Sequence, residues 1–147
     1  MPSSNDLGNL IGFLKEFADK CHHGKEEGML FPALVAAGMP EHAGPIAVML
    51  AEHAQGRDYI REMDSAVAFG PDYLTFSYAA RSYSGLLQNH IQKENNVLFP
   101  MAEARLGSVK LEQLFESFEE HEKNTIGHGR HEHLHQVLNE LQTRYVK

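Results

Sequence analysis

The chain has 147 residues, which predicts one compact domain over residues 1–147, and 42% of them are hydrophobic, enough to build a core. The formal net charge of −7 argues against nucleic acid or an anionic membrane as the partner. No apolar run approaches the roughly 20 residues that span a bilayer. The single cysteine, Cys21, excludes an internal disulfide and favours a reducing, cytoplasmic setting. The sequence also has ten histidines, and histidine is the commonest metal ligand.

The local signals, taken in chain order, predict helices and no strand of useful length. The expected helices lie over about residues 5–37, 45–69, 73–106, 109–124 and 130–145. Asn5 or Asp6 is the expected cap of the first helix, and Gly38 and Gly107 are expected to end the first and third. Long helices joined by short loops pack most simply as antiparallel neighbours. The fold class is therefore predicted to be all-α, an up-and-down antiparallel four-helix bundle with an additional short C-terminal helix.

Two stretches on different predicted helices share one pattern, HHGKEEGMLFPAL over residues 22–34 and HIQKENNVLFPMA over residues 90–102. Both place a histidine four residues before a glutamate, and a Leu-Phe-Pro triplet follows. Pro32 and Pro100 lie inside the helical patterns, where each is expected to kink or end its helix. The shared pattern is too short to indicate a repeat architecture. It indicates two helices that contribute the same kinds of side chain to one site.

On the third predicted helix, His90 and Glu94 belong to an apolar stripe. Its members follow the spacing of one helix face: Tyr83, Leu86, Leu87, His90, Glu94, Val97, Leu98 and Met101. An isolated carboxylate there would cost several kcal/mol in desolvation. The pair therefore needs a partner, which is either a metal ion or a polar group on a neighbouring helix.

The first and second helices add further candidates. At about 100° per residue, His22 and Glu26 fall closer to the early apolar positions of the first helix than His23 and Glu27 do. His23 fits either a ligand or a solvated edge, and Glu27 is expected on that edge. His53 lies on the inward face of the second helix. A single such histidine is more often a core residue, but here the first and third helices also direct a histidine inward.

Imidazoles and carboxylates that converge within a helix bundle are the donor set of non-haem iron and manganese sites. Zinc can use the same atoms, although structural zinc prefers thiolates, which one cysteine cannot supply. Two carboxylates on different helices suit a bridge between two ions and would offset their positive charge.

Three segments, HHxKEExxLFP, the EH within MLAEHAQGR, and HIxKENNxLFP, resemble the hemerythrin-like, HHE cation-binding family. The last one is also similar to di-iron repair-of-iron-centres proteins. The resemblance covers roughly residues 10 to 140. It implies a hemerythrin-like bundle with two Fe ions that are bridged by two carboxylates and an oxo or hydroxo group, with Zn or Mn as substitutes. Carried over by position, the implied metal ligands are His22, Glu26, His53, His90 and Glu94, with His23 a ligand in some relatives.

The sequence departs from the family in one respect. Members usually have a preceding helix with a further histidine, whereas residues 1 to 20 contain none. His131 or His135, which share a face of the last predicted helix, are the candidate replacements. His121 is a weaker one, and a partner chain in a homodimer is another source.

The stretch HEHLH, residues 131–135, also matches the zinc-protease pattern HExxH, with Glu132 as general base. This pattern is short, and a chain with ten histidines produces it easily. Packing of this helix against the bundle is the favoured interpretation.

The resemblance implies a di-iron protein that binds or senses O2, NO or peroxide. The enzymatic alternative is a protein that acts on peroxide or nitric oxide, or that repairs damaged iron–sulfur clusters. Repair-type relatives usually have an N-terminal cysteine-bearing segment. This sequence does not show that segment, which favours the binding role here. A metal-free interaction module is the third class.

Overall fold

The computed structural model describes residues 3–68, 70–126 and 136. These residues form three long helices, which we call α1 (residues 4–36), α2 (Gly44–Ala68) and α3 (residues 73–126). No strand occurs in this part of the chain, which confirms the all-α prediction. Apart from residue 136, the helix predicted over residues 130–145 lies outside the described residues. No helix within the described ranges is long and apolar enough to cross a membrane.

The N-terminal cap of the first helix lies two or three residues earlier than predicted. Ser3, rather than Asn5 or Asp6, is the N-terminal cap, and its hydroxyl accepts a hydrogen bond of 3.1 Å from the backbone N–H of Asp6. A serine at this position satisfies one of the amide groups that the first turn leaves unpaired. At the other end, Gly38 has φ of 101°, a left-handed conformation that favours glycine, so the predicted stop is confirmed.

The two helices that contain the repeated pattern widen locally into π-helix. These π-helical segments are Leu14–His23 and Glu26–Leu30 in α1 and Glu94–Leu98 in α3. The backbone N–H of Phe31 donates to the carbonyl of Glu26, and that of Phe99 to the carbonyl of Glu94, in both cases five residues back. A π-turn therefore begins at each of the two buried glutamates, as such turns often do at functional sites.

Neither Pro32 nor Pro100 ends its helix, contrary to one of the two expected outcomes. Each proline follows directly after a π-turn. A proline removes one backbone donor, and its ring clashes with the carbonyl four residues earlier in a regular α-helix. Because the π-turn has already shifted the hydrogen bonds to five-residue spacing, the helix absorbs the ring at this point.

The apolar core consists of two clusters at different heights along the helices. The upper cluster contains Leu30, Phe31, Leu34, Met39, Ile46, Met49, Leu98, Ala102 and Leu114. The lower cluster contains Leu7, Ile11, Ile60, Met63, Ala66, Phe76, Ala79 and Tyr83. This pairing of residue numbers shows that α2 runs antiparallel to α1, and that α3 runs parallel to α1 up to Gly107. The polar residues at 23–26, 53 and 90–94 therefore lie between the two clusters.

The prediction of four separate helices is not met, because α3 changes direction at Gly107 with no loop between its two parts. Gly107 has φ of 78°, which is strained for any residue with a Cβ. After this residue the helix runs back along α1, where Lys25 Nζ lies 3.3 Å from Glu122 Oε2. The backbone is therefore non-helical at Gly107, where the third helix was predicted to end, but without a connecting loop the described residues form three helices rather than a clear four-helix bundle.

Candidate metal centre

Six polar side chains from all three helices converge between the apolar clusters. They are His22, His23 and Glu26 from α1, His53 from α2, and His90 and Glu94 from α3. All of them except His22 are buried, with at most 4% of the residue exposed. Potential ligand atoms of His23, His53 and His90 lie within 4.8 Å of one another, and so do those of Glu26, His53, His90 and Glu94.

The two buried carboxylates share His22 as a neighbour. Nε2 of His22 lies 3.1 Å from Oε1 of Glu26 and 3.6 Å from Oε2 of Glu94. Burial first, and the nearby Glu94 after it, raise the pKa of Glu26 to about 7, although its hydrogen bond with His22 acts in the opposite direction. Burial also opposes ionisation of Glu94, but hydrogen bonds from His22 and His90 outweigh it and lower the pKa of Glu94. Without a cation, the pair therefore favours one charged and one protonated carboxyl group.

The three buried imidazoles are packed against one another. The rings of His23 and His53 are stacked with centroids 3.9 Å apart, and the rings of His23 and His90 meet edge to face at 5.3 Å. Nε2 of His53 lies 3.3 Å from Nε2 of His90. Burial lowers the pKa of His53 to about 4, with the neighbouring His23 adding to the effect, so this ring is neutral near pH 7. A neutral imidazole is the form that binds a metal.

A cation fits this site because several buried polar atoms have no hydrogen bond among the described residues. These atoms are Nε2 of His23, both side-chain oxygens of Glu26, and Oε1 of Glu94. Two of these oxygens do have a close ionic contact with a histidine: Oε1 of Glu94 lies 2.7 Å from Nε2 of His90, and Oε1 of Glu26 lies 3.1 Å from Nε2 of His22. Each unsatisfied buried group costs roughly 1–3 kcal/mol, and metal coordination would remove that cost. The histidine and carboxylate donors suit iron or manganese, and also zinc.

On α1 the structure reverses the predicted order of burial for two neighbours. His23 is 4% exposed, whereas 47% of the His22 side chain is exposed. The prediction assumed 100° per residue, but π-helical hydrogen bonds span five residues, so each residue turns by less. The π-segment Leu14–His23 therefore rotates His23 inward. His22 nevertheless contacts the site, since its ring nitrogen Nε2 lies within 3.6 Å of both buried glutamates.

The prediction of Glu27 on a solvated edge is wrong. Oε2 of Glu27 accepts a hydrogen bond of 2.9 Å from Nδ1 of His53, and the same carboxylate forms an ion pair with Arg57. Arg57 and two further carboxylates near the histidines, Asp19 and Glu52, were not identified from the sequence. Helical spacing puts Asp19 and Glu27 on the same face as His23, four residues on either side, and Arg57 on the same face as His53, four residues after it. This spacing does not show that Arg57 pairs with the two carboxylates, since they lie on another helix.

The three histidines considered as replacements for the missing family ligand have different outcomes. His131 and His135, and with them the HExxH stretch, lie outside the described residues. His121 lies close to α1, where its Nε2 would be 3.4 Å from a Cβ placed on Gly24. It does not belong to either group of potential ligand atoms found among the described residues.

Fold and site together define a helical protein with a buried histidine and carboxylate centre. Residues 2–102 match the sequence profile of the hemerythrin HHE cation-binding domain, so the chain belongs to this family. Among curated proteins it is similar to the iron-sulfur cluster repair protein YtfE of Salmonella newport and of Salmonella dublin. Each is 40% identical over 91 residues, in a match that covers 55% of this chain and 40% of the relative. The chain thus spans less than half the length of these relatives, and no solved structure matches it.

Proposed function

We propose that this chain binds two iron ions between its helices and acts in the repair of damaged iron centres. The observation that carries the proposal is the group of ligand atoms from Glu26, His53, His90 and Glu94, all buried and within 4.8 Å of one another. The similarity to iron-sulfur cluster repair proteins supports the repair role over the O2-binding role that the family resemblance first suggested. A reducing cytoplasm, which the single cysteine favours, suits ferrous iron.

The carboxylates of Glu26 and Glu94 and the imidazoles of His22, His23, His53 and His90 would hold the ions. Iron bound there supplies Lewis-acid and one-electron chemistry. Leu30 and Leu98, which are 4% and 0% exposed, border the site and exclude water from it. His22 is half exposed, and the hydrogen bonds that its ring donates to Glu26 first and to Glu94 second raise its pKa to about 9. In the metal-free protein, His22 therefore holds a proton at the solvent side of the site.

The first experiment measures iron in protein produced in iron-rich medium, by elemental analysis and by a visible spectrum in air. The wild type is expected to contain about two irons per chain, and the double variant Glu26→Ala/Glu94→Ala close to none. Glu103→Ala, which changes an exposed glutamate on α3, is the matched control and should keep the wild-type content. Two irons per chain in the double variant would contradict the assignment of the site.

The second experiment tests the repair role. The reduced, iron-loaded protein is mixed with an iron–sulfur dehydratase that peroxide has inactivated, and recovery of dehydratase activity is followed. Recovery must exceed that with the same amount of free Fe(II) and must be absent with the double variant. A reversible optical band with O2, without any recovery of the dehydratase, would instead favour O2 binding.

We also infer that residues 108–126 serve as the fourth helix of an up-and-down bundle. The ion pair between Lys25 and Glu122 and the approach of His121 to Gly24 support this arrangement. Nuclear Overhauser contacts between the backbone protons of Gly24 and the ring protons of His121 are the expected result in solution. Their absence would argue for a different packing of this segment.

A further inference from the structure

The three buried histidines share a feature beyond their inward-facing atoms. In each ring, Nδ1 faces a carboxylate. The distances are 2.9 Å from His53 to Glu27, 3.4 Å from His90 to Glu52, and 3.6 Å from His23 to Asp19. The first two are hydrogen bonds and the third is an ionic contact. A carboxylate at Nδ1 retains the proton on that nitrogen and leaves Nε2 bare, which is the arrangement that orients a metal-binding histidine.

Two of these three carboxylates, those of Asp19 and Glu27, contact the guanidinium group of Arg57. Nε of Arg57 lies 2.8 Å from Oδ1 of Asp19, and the terminal nitrogens of the same guanidinium contact both oxygens of Glu27. The planar guanidinium presents donors in a fixed fork, so it can hold two carboxylates in one geometry. Arg57 therefore links α2 to two positions of α1 that lie eight residues apart.

We propose that Arg57 is a positioning residue for the metal centre: it holds Asp19 and Glu27 so that His23 and His53 keep Nε2 directed inward. The inference rests on the proposed function in so far as the inward nitrogens are metal ligands. The effect on the rings themselves does not depend on metal.

A second ion pair on α2 shows what distinguishes Arg57. Arg61 pairs with Asp58 one turn further along the same helix, but 69% and 52% of the two side chains are exposed. Such a pair contributes little. Arg57 is 35% exposed, and its partner Glu27 contacts the ring of His53, whose side chain is 0% exposed. The charge of Arg57 is thus coupled to the buried centre, whereas that of Arg61 is not.

The binding experiment titrates the metal-free protein with Co(II) alone and follows the visible absorption of the bound ion. Arg57→Gln is expected to weaken Co(II) binding by roughly 10–100-fold, the usual range for the loss of a group that orients a metal ligand. Arg57→Lys retains the charge but not the fork, so its loss should be smaller. Arg61→Gln is the matched control and should bind as the wild type does. Equal affinity of Arg57→Gln and the wild type would overturn the inference.

A metal-independent measurement separates this inference from the proposed function. Nitrogen-15 spectra of histidine-labelled, metal-free protein report which ring nitrogen carries the proton. The wild type should show His53 with its proton on Nδ1, and Arg57→Gln should show a mixture of both forms, with an unchanged far-UV circular dichroism spectrum. If Arg57→Gln does not fold, Arg57→Lys provides the same comparison.

The outcomes are distinct. A wild type that binds no Co(II) but shows the expected change at His53 would refute the metal site and leave the positioning role in place. A wild type with the proton of His53 on Nε2, or variants that leave the proton position unchanged, would refute the positioning role whatever the metal content.

Discussion

Residues 22–34 of α1 and 90–102 of α3 have nearly the same motif but do not present it in the same way. In both, a buried glutamate begins a π-turn, and a leucine, a phenylalanine and a proline follow. The histidine that precedes the glutamate differs: His90 is 2% exposed, whereas 47% of the His22 side chain is exposed. The residue after it differs in the opposite sense, since His23 is buried and Ile91 is 43% exposed.

The difference arises from the helix before the motif. Regular α-helix, Tyr73–Lys93, leads into the motif of α3, whereas π-helix, Leu14–His23, leads into that of α1. Because π-helix turns less per residue, the inward direction moves from the first to the second histidine. The short motif thus specifies that its glutamate is buried. The number of residues per turn in the preceding helix decides whether the first or the second residue of the motif is buried with that glutamate.

The largest effect that this comparison predicts is on metal affinity when each histidine is removed. His90→Ala removes a buried donor next to Glu94 and should weaken Co(II) binding by more than roughly 100-fold, beyond the usual loss for an orienting group. His23→Ala should lose nearly as much, and His22→Ala clearly less, as measured by absorbance titration. A loss for His22→Ala equal to that for His90→Ala would mean that the two motifs are equivalent after all.

The next effect concerns the stability of the metal-free protein when each glutamate is neutralised. Glu94→Gln removes a charge hydrogen-bonded to His22 and His90, so the free energy of unfolding should fall by about 1.5–3 kcal/mol. Glu26→Gln should leave it unchanged or raise it at pH 8, because the fold raises the pKa of Glu26 to about 7 and thus disfavours the charged form. Urea denaturation of the two variants and the wild type measures this. Equal losses would contradict the inferred sharing of one charge.

A smaller effect is expected from pH, through His22. The fold raises the pKa of His22 to about 9, first through its hydrogen bond with Glu26, from an ordinary value of 6.5. Its contribution to stability is therefore complete below pH 6.5 and is lost as the pH rises from 6.5 through 9. The difference in melting temperature between metal-free wild type and His22→Gln should shrink over this range. A difference that stays constant with pH would show that His22 does not hold a proton between the glutamates.

The smallest predicted effect is the change in stability when either of the two prolines after the π-turns is replaced. Pro32 and Pro100 are exposed, so Pro32→Ala and Pro100→Ala should each lower the free energy of unfolding by only about 0.4–1 kcal/mol, by loosening the unfolded chain. Similar losses in urea denaturation would sharpen the likeness between the two backbone segments. A large loss at one proline alone would show that the π-turns differ in what maintains them.

Much of the fold could be predicted because its signals are local. Helical periodicity and the glycines at 38 and 107 located the helices, and i to i+4 spacing identified Glu26, Glu94, His53 and His90 as inward residues. The exchange of His22 and His23 could not be predicted, since an unbroken α-helix was assumed. The ion pairs of Arg57 could not be predicted either, because they depend on how α2 is set against α1.

The amino-acid sequence by itself determined that the chain is helical, that it belongs with cation-binding relatives, and that two glutamates and several histidines lie on inward helix faces. These properties follow from spacing along one helix, where neighbours three and four residues apart share a face. Only the tertiary structure decided which histidine of α1 is buried, that Glu27 contacts His53, and that one guanidinium joins Asp19 to Glu27. Those contacts depend on small changes in helix phase and on the packing between helices, for which the local sequence has no separate signal.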